Sequence, residues 1–263
     1  MSSMNLPNEN PVFEKDDLDM SLTTAGLMPE KTEEFAKIYS EEDDLRKTKE
    51  RWHETRTAKR GSRNSSQKIF GVIASRLTEK NENLPSVPEL VQLLNSCDSR
   101  KQKSQIIYLY ILESDILVRY VVSEVLSQTK DGEDFDFSTE NISSILDEIK
   151  YLDGKELEYS NSTLEKWISN LRSLMREIDV IKSKRSTEGD SPGLKDNVIE
   201  VSALYSHRKQ VNYWIEQPIG WMYLFQPPMF WEDMLNKLAE KDNWRLSEVS
   251  GRRKLNPNDE ILK

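Results

Sequence analysis

Apolar residues recur every three to four positions along most of the chain, which is the spacing of one face of an α-helix. After a turn at residues 23–26, Pro29 suits the first turn of a helix whose apolar positions include Phe35 and Ile38. A second helix is predicted from Glu41 to His53. Its acids lie at the N-terminal end and its bases lie toward the C-terminal end, an order that complements the helix dipole.

The Gly61-Ser62 pair interrupts the pattern, and a helix is predicted to resume near Ser62 or Ser65. Its inner face carries Ile69, Phe70, Ile73 and Leu77. Its opposite face carries Asn64, Lys68, Gly71 and Ser75. A face with a glycine, small polar residues and a lysine permits close approach by another helix or by a phosphate. We favour helix packing. Because Arg76 falls within the apolar arc and a buried arginine needs a carboxylate, we predict a structural ion pair there.

Four further helices follow from the same spacing. A short helix is predicted over Glu89–Asn95, and a helix of about 29 residues over Arg100–Gln128. Apolar side chains lie nearly all round the longer helix, with a kink near Ser114-Asp115, so it is predicted to be the central core helix. The next helix spans about Ser138 to Lys150. The fourth is predicted to open at a capping box, Ser162-Thr163-Leu164-Glu165.

The last third of the chain differs in composition. Residues 183–197 have the composition of a linker or surface loop. Beyond them lie four of the six tryptophans, which are more typical of a core than of an interface. A helix is predicted from about Pro228 to Lys241, and a small hairpin is predicted to turn at Ser250-Gly251.

These patterns predict an all-α fold with one small C-terminal β-hairpin. The predicted organisation is a disordered acidic tail (1–20), a helical domain (21–182) with a basic stretch (46–80), a linker (183–197) and an aromatic-rich C-terminal subdomain (198–263).

Charge is distributed very unevenly along the chain. The formal net charge is -9, which by itself argues weakly against a nucleic-acid partner. Residues 1–45 carry a net charge of -9 and residues 46–80 carry +8. A smaller basic cluster consists of Arg100, Lys101 and Lys103. Local sign therefore matters more than the total.

No catalytic constellation is visible. The chain has no phosphate-binding glycine loop, no nucleophile elbow and no dinucleotide motif. Its single cysteine, Cys97, and its two histidines, His53 and His207, do not suffice for a zinc site. We therefore expect no catalytic residue, no metal and no cofactor. The N-terminus shows no signal-peptide pattern and no apolar stretch approaches the roughly 20 residues of a membrane span, so we expect a cytoplasmic protein.

Four stretches together resemble the BrxA family of the BREX phage-defence systems. They are Thr23-Thr24-Ala25-Gly26-Leu27, RTAKRGSRNSSQKIFGVIASRL (Arg56 to Leu77), Tyr108 to Val125 and STLEKWISNLRSLMREIDVI (Ser162 to Ile181). The resemblance covers about residues 20–182 and consists of helix-face patterns. It implies a compact helical protein with NusB-like subdomains and no catalytic activity. It also implies binding to double-stranded DNA and work alongside the BREX methyltransferase and its partner proteins.

Two functions follow from these observations. The first is a non-enzymatic accessory protein that binds double-stranded DNA through a basic helix start, because Lys and Arg neutralise phosphates while Ser, Asn and helix amides add positioning contacts. The leading contacts would be Lys59, Arg60, Arg63 and Lys68, with support from Arg51, Arg56, Arg100, Lys101 and Lys103. The second is a protein-interaction adaptor that does not bind DNA directly. In it the bases pair with an acidic partner or with residues 9–44, and the Trp-rich C-terminus docks on another defence component. Charge alone leaves both open.

Overall fold

The structure, a computed structural model, describes residues 12–14, 18, 20–55, 63–79, 81–130, 133–151, 154–210 and 213–258. Across these ranges the chain forms eleven α-helices and six short strands. The predicted helical fold is confirmed, and so is the small hairpin near the C-terminus.

Several of the helices begin at a residue whose side chain caps them. The side chains of Asp44, Ser99, Ser138 and Ser160 each accept a hydrogen bond from the main-chain N–H three residues further on. The helices are α1 (Pro29–Glu42), α2 (Leu45–Glu54), α3 (Arg63–Ala74, continued by a π-helical segment over Ser75–Glu79), α4 (Val87–Asn95), α5 (Arg100–Ser114), α6 (Ile116–Gln128), α7 (Thr139–Asp147), α8 (Asn161–Glu177), α9 (Asp196–Lys209), α10 (Ile219–Tyr223) and α11 (Trp231–Ala239).

The strands form three separate pairs. They are β1 (Val12–Phe13), β2 (Phe135–Asp136), β3 (Lys150–Tyr151), β4 (Glu188–Gly189), β5 (Trp244–Val249) and β6 (Arg252–Pro257). β1 pairs with β3 in parallel, and β2 pairs with β4 antiparallel. β5 and β6 form the hairpin, with Val249 opposite Arg252. Ser250 and Gly251 both have positive φ, as a two-residue type I′ turn requires.

The centre of the molecule is built on α5 and α6. Every residue from Ser104 to Leu112 is buried, so α5 is surrounded on all sides. The predicted long helix is two helices, because Asp115 has an extended backbone and caps α6 by accepting from the Val118 N–H at 3.1 Å. None of the helices in the described ranges has both the length and the apolar character needed to cross a membrane.

The aromatic residues near the C-terminus form a second core. Trp214 packs edge-on against Trp221 and Trp244, with ring centroids 5.8 and 6.1 Å apart. All three indoles are buried, and the Trp214 Nε1–H donates to the Leu255 carbonyl at 2.9 Å. The prediction that the tryptophans belong to a core is confirmed for these three, and Trp231 is partly buried and packs against the same core.

Two predicted helix starts are wrong. α2 begins at Leu45, since Glu41 and Glu42 end α1 and Asp43 has a left-handed backbone that stops it. α8 begins one residue before Ser162, because Ser160 provides the cap and the predicted capping box lies inside the helix. In both cases a neighbouring Asp or Ser competes for the capping position.

Residues before and after the predicted helical domain (21–182) pack onto the main core. Phe13 is buried with its ring centroid 5.4 Å from that of Tyr120. In the segment predicted as a linker or loop, the carbonyl of Pro192 accepts from Gln226 and that of Gly193 accepts from Gln105. This segment is therefore held to α5 and to the chain that follows α10.

Candidate nucleic-acid interface

α3 presents a polar face to solvent. Arg63, Asn64, Ser65, Gln67, Lys68 and Gly71 are exposed, and we call this set the open face of α3. A Cβ added to Gly71 would meet nothing within 4 Å. The prediction that this face packs against another helix is therefore wrong for the part of the chain that the structure describes. α3 also contains no acid.

The inner face of α3 fixes the direction of the open face. Phe70 packs against Phe35 of α1 and Trp52 of α2, with ring centroids 5.3 and 5.9 Å apart. The Trp52 Nε1–H donates to the Ser66 hydroxyl at 3.2 Å. As predicted, Ile69, Phe70, Ile73 and Leu77 are buried. The core thus holds α3 with its bases pointing outward.

Two of the predicted contacts, Arg63 and Lys68, lie on the open face. Within the described residues neither has a carboxylate partner. The pKa of the neighbouring His53 is lowered by burial and, to a smaller extent, by the positive charges of Arg63 and Lys49. Three other predicted contacts, Arg56, Lys59 and Arg60, lie outside the described residues and stay predictions.

The remaining predicted contacts are held by acids. Arg51 pairs with Glu41 at 2.5 Å and with Glu42 at 3.1 Å. In the structure Arg51 is therefore paired with acids of the N-terminal segment. A DNA phosphate would have to replace these carboxylates.

The second basic cluster is held in the same way. Arg100 pairs with Glu30 at 2.5 Å and with Glu177 at 3.3 Å. Its hydrogen bond keeps the pKa of Glu30 below the usual value. Lys101 pairs with Asp179 and Lys103 with Glu33, each at 2.7 Å. This cluster joins α5 to α1 and to the end of α8, and offers less unpaired charge than the sequence indicates.

Arg76 is buried within the apolar arc, as predicted. Its guanidinium donates to the carbonyls of Ala25 and Gly26 at 2.7 and 2.9 Å. It also approaches the Ser21 hydroxyl at 3.4 Å, and that hydroxyl donates to the Asp115 carboxylate at 2.8 Å. Arg76 therefore ties α3 to the turn before α1 as well as to the central helices.

A pocket of about 430 Å³ lies beside the open face, between α3, α8 and the turn at residues 23–28, and we call it the α3–α8 pocket. Its polar side chains are Thr23, Thr24, Ser65, Lys68, Lys166 and Asn170. The sequence did not point to Lys166, because Glu165 beside it cancels the local charge. Only the packing of α8 against the turn places Lys166 on the same pocket as Lys68.

The stretches that meet at this pocket are three of the four that carry the family resemblance. The model of the BrxA family matches residues 18–202, which is more than half of the chain. The chain belongs to the BrxA family. Membership makes it a BREX-associated defence protein. A comparison with curated proteins gives no match.

The match to the BrxA family model contains the open face and the α3–α8 pocket but ends within α9. Most of the second core and the hairpin lie beyond it. Two of the bases near the hairpin tip are paired, Arg252 with Glu216 at 2.8 Å and Arg253 with Glu232 at 2.7 Å. The unpaired positive charge on the candidate site thus belongs to the region that defines the family.

The described residues also bear on metal binding. They contain no group of three or more His, Cys, Asp or Glu side chains placed to hold a metal ion. What the candidate site offers is cationic and hydroxyl groups, which are donors suited to anions.

Proposed function

We propose that this BrxA-family protein is a non-enzymatic BREX accessory protein that binds double-stranded DNA through the open face of α3. The observation that carries the proposal is an exposed, acid-free helix face on which Arg63 and Lys68 have no carboxylate partner among the described residues. Lys and Arg neutralise phosphates, and hydroxyl and amide side chains position the backbone. Ser65, Asn64 and Gln67 supply those groups beside the bases.

Duplex DNA suits this surface better than a single strand. Proteins that hold single strands stack the bases on exposed aromatic rings. The aromatic residues of α2 and α3, Trp52 and Phe70, are buried. Backbone contact to a duplex needs only positive charge and donors, and an α-helix fits the major groove of about 12 Å width.

The overall negative charge is compatible with this function. At physiological salt the Debye length is about 8 Å, so exposed charges further apart than that are largely screened. Glu41 and Glu42 are in addition occupied by Arg51. The acidic remainder of the surface then favours one binding face over the others.

The test is a fluorescence anisotropy titration of a duplex across a range of salt concentrations. For wild type we expect log K to fall linearly with log salt, by about 0.9 per phosphate engaged. Reversing both charges, Arg63→Glu with Lys68→Glu, removes two phosphate contacts. It should weaken binding at least tenfold and reduce the salt slope by about 2.

The matched control reverses two exposed bases of the C-terminal region, Lys237→Glu with Arg245→Glu. It changes the net charge equally but should leave affinity within about twofold, because long-range charge is screened. Equal losses in both variants would mean that net charge and not the open face governs binding. Absence of wild-type binding at low salt would refute the proposal.

A second candidate function, the adaptor, is favoured by exposed apolar residues near α11. Met229 is 76% exposed and Phe230 is 44% exposed. Such side chains at the surface are typical of protein contacts. Met229→Ser with Phe230→Ser should abolish copurification with BREX proteins from the native operon while leaving DNA affinity unchanged. Unchanged copurification would count against the adaptor role.

A further inference from the structure

Lys68 and Lys166 belong to helices far apart in sequence, yet both line the α3–α8 pocket. We propose that this pocket is a binding site for a single phosphoryl group, held between the two ammonium groups. The proposal deepens the DNA-binding function and rests on it where the phosphoryl group belongs to DNA. A free phosphate compound would present the same chemistry.

The charge of the pocket is unbalanced. None of the described residues that line it is an acid. Lys68 and Lys166 are both exposed, and neither has a carboxylate partner within the described ranges. A larger cleft of about 790 Å³ adjoins the pocket and shares Gly26, Met28 and Asn170 with it.

That adjoining cleft has a different character. Three acids line it, Glu30, Glu34 and Glu177, against two bases, Lys31 and Arg100. Arg100 is already paired with Glu30 and Glu177. An anion entering there would meet carboxylates that repel it. Of the two adjoining cavities, the α3–α8 pocket is therefore the one in which an anion is favoured.

The wall formed by residues 23–28 is held in place by hydrogen bonds to its main chain and to that of Leu22. Arg76 engages the carbonyls of Ala25 and Gly26, and the Asn170 amide donates to the Leu22 carbonyl at 2.9 Å. The Thr32 hydroxyl donates to the Leu27 carbonyl at 3.3 Å. These carbonyl oxygens are all engaged by donors of the protein itself. A wall fixed in this way loses little freedom when a ligand binds.

The hydroxyls of the wall differ in what they can offer. The Thr23 hydroxyl donates to the Met20 carbonyl at 2.7 Å, so its proton is engaged. Thr24 lies beside it on the pocket and has a hydroxyl that can donate to a phosphate oxygen. Two ammonium groups and one hydroxyl suit the three peripheral oxygens of a phosphoryl group. The volume of about 430 Å³ also leaves room for an attached sugar.

The site is tested by isothermal titration calorimetry, which measures the affinity of the full-length protein for pyrophosphate at constant ionic strength. Wild type should bind, and Lys166→Gln should bind roughly tenfold more weakly or worse, the change expected for losing a hydrogen bond to a charged group. The matched control is Lys184→Gln, a loss of the same charge at another exposed lysine. It should bind as wild type does. Thermal unfolding of each variant shows whether the fold is kept.

A second arm identifies the source of the phosphoryl group. If it belongs to DNA, pyrophosphate should compete with the duplex, and Lys166→Gln should lower the salt slope of DNA binding by about 1. If it belongs to a free compound, Lys166→Gln should lose pyrophosphate binding with an unchanged DNA slope. Equal pyrophosphate binding by wild type and Lys166→Gln, or none by wild type, would overturn the site.

Failure of the DNA function is distinguishable from failure of the pocket. Arg63→Glu alters the open face without removing either pocket lysine. Pyrophosphate binding that depends on Lys166, in a protein that binds no duplex, would refute DNA binding and leave the pocket standing. Duplex binding that depends on Arg63 but not on Lys166, with no pyrophosphate binding, would refute the pocket and support the DNA-binding function.

Discussion

Replacing Gly220 with alanine is expected to cost about 3 kcal/mol or more of folding free energy, at the upper end of the range for overpacking. A Cβ at this position would lie 2.0 Å from the Ser202 carbonyl oxygen and 2.8 Å from its carbon. Both are main-chain atoms of α9, so no side-chain rotation relieves the clash. The Gly220 N–H also donates to the Ser206 hydroxyl at 2.8 Å, and separation of α10 from α9 would break that bond.

Urea denaturation followed by tryptophan fluorescence measures this loss. The matched control is Gly71→Ala, since a Cβ there meets nothing within 4 Å and the residue lies inside α3. That control should gain about 0.5–1 kcal/mol, because alanine is the better helix former. Equal stability of the two variants would show that α9 and α10 do not approach as closely as described.

Replacing Arg76 with methionine is expected to destabilise the fold by about 3 kcal/mol, since it leaves buried acceptors without their charged donor. The carbonyls of Ala25 and Gly26 lose the guanidinium that holds them. The side-chain volume is roughly kept, so the loss reports on hydrogen bonding more than on a cavity. Because the turn forms one wall of the α3–α8 pocket, pyrophosphate affinity should fall as well.

The control for this variant is Arg46→Met, at an arginine whose side chain is 88% exposed. A surface substitution of this kind should change stability by less than about 0.5 kcal/mol. Chemical denaturation of both variants, with pyrophosphate titration at a temperature where each is folded, checks the two effects. A variant at Arg76 as stable as the control would contradict the proposed tie between α3 and the turn.

The hydrophobic pattern was sufficient for most of the helices. Pro29 begins α1, the apolar face of α3 is buried, and the Ser250-Gly251 turn closes the hairpin. These features depend on neighbours within a few residues, through side-chain periodicity and local backbone conformation. The starts of α2 and α8 were misplaced, because several adjacent residues can cap a helix and packing selects among them.

The candidate site shows where local pattern stops being informative. The density of bases along the sequence predicted both Arg63 and Arg100 as phosphate contacts. Only the fold shows that Arg100 is paired with Glu30 and Glu177. It also shows that Gly71 is open to solvent. Whether a charged side chain is available depends on partners distant in sequence, which composition does not contain.

The sequence alone determined the helical class, the buried face of α3 and the concentration of bases near it. These follow from short-range periodicity and from local charge. The tertiary structure decided which bases are neutralised by distant acids and which remain available. It alone placed Lys166 on the same pocket as Lys68, because α8 packs against the turn at residues 23–28, and the hydrogen bond between Asn170 and Leu22 joins residues 148 positions apart.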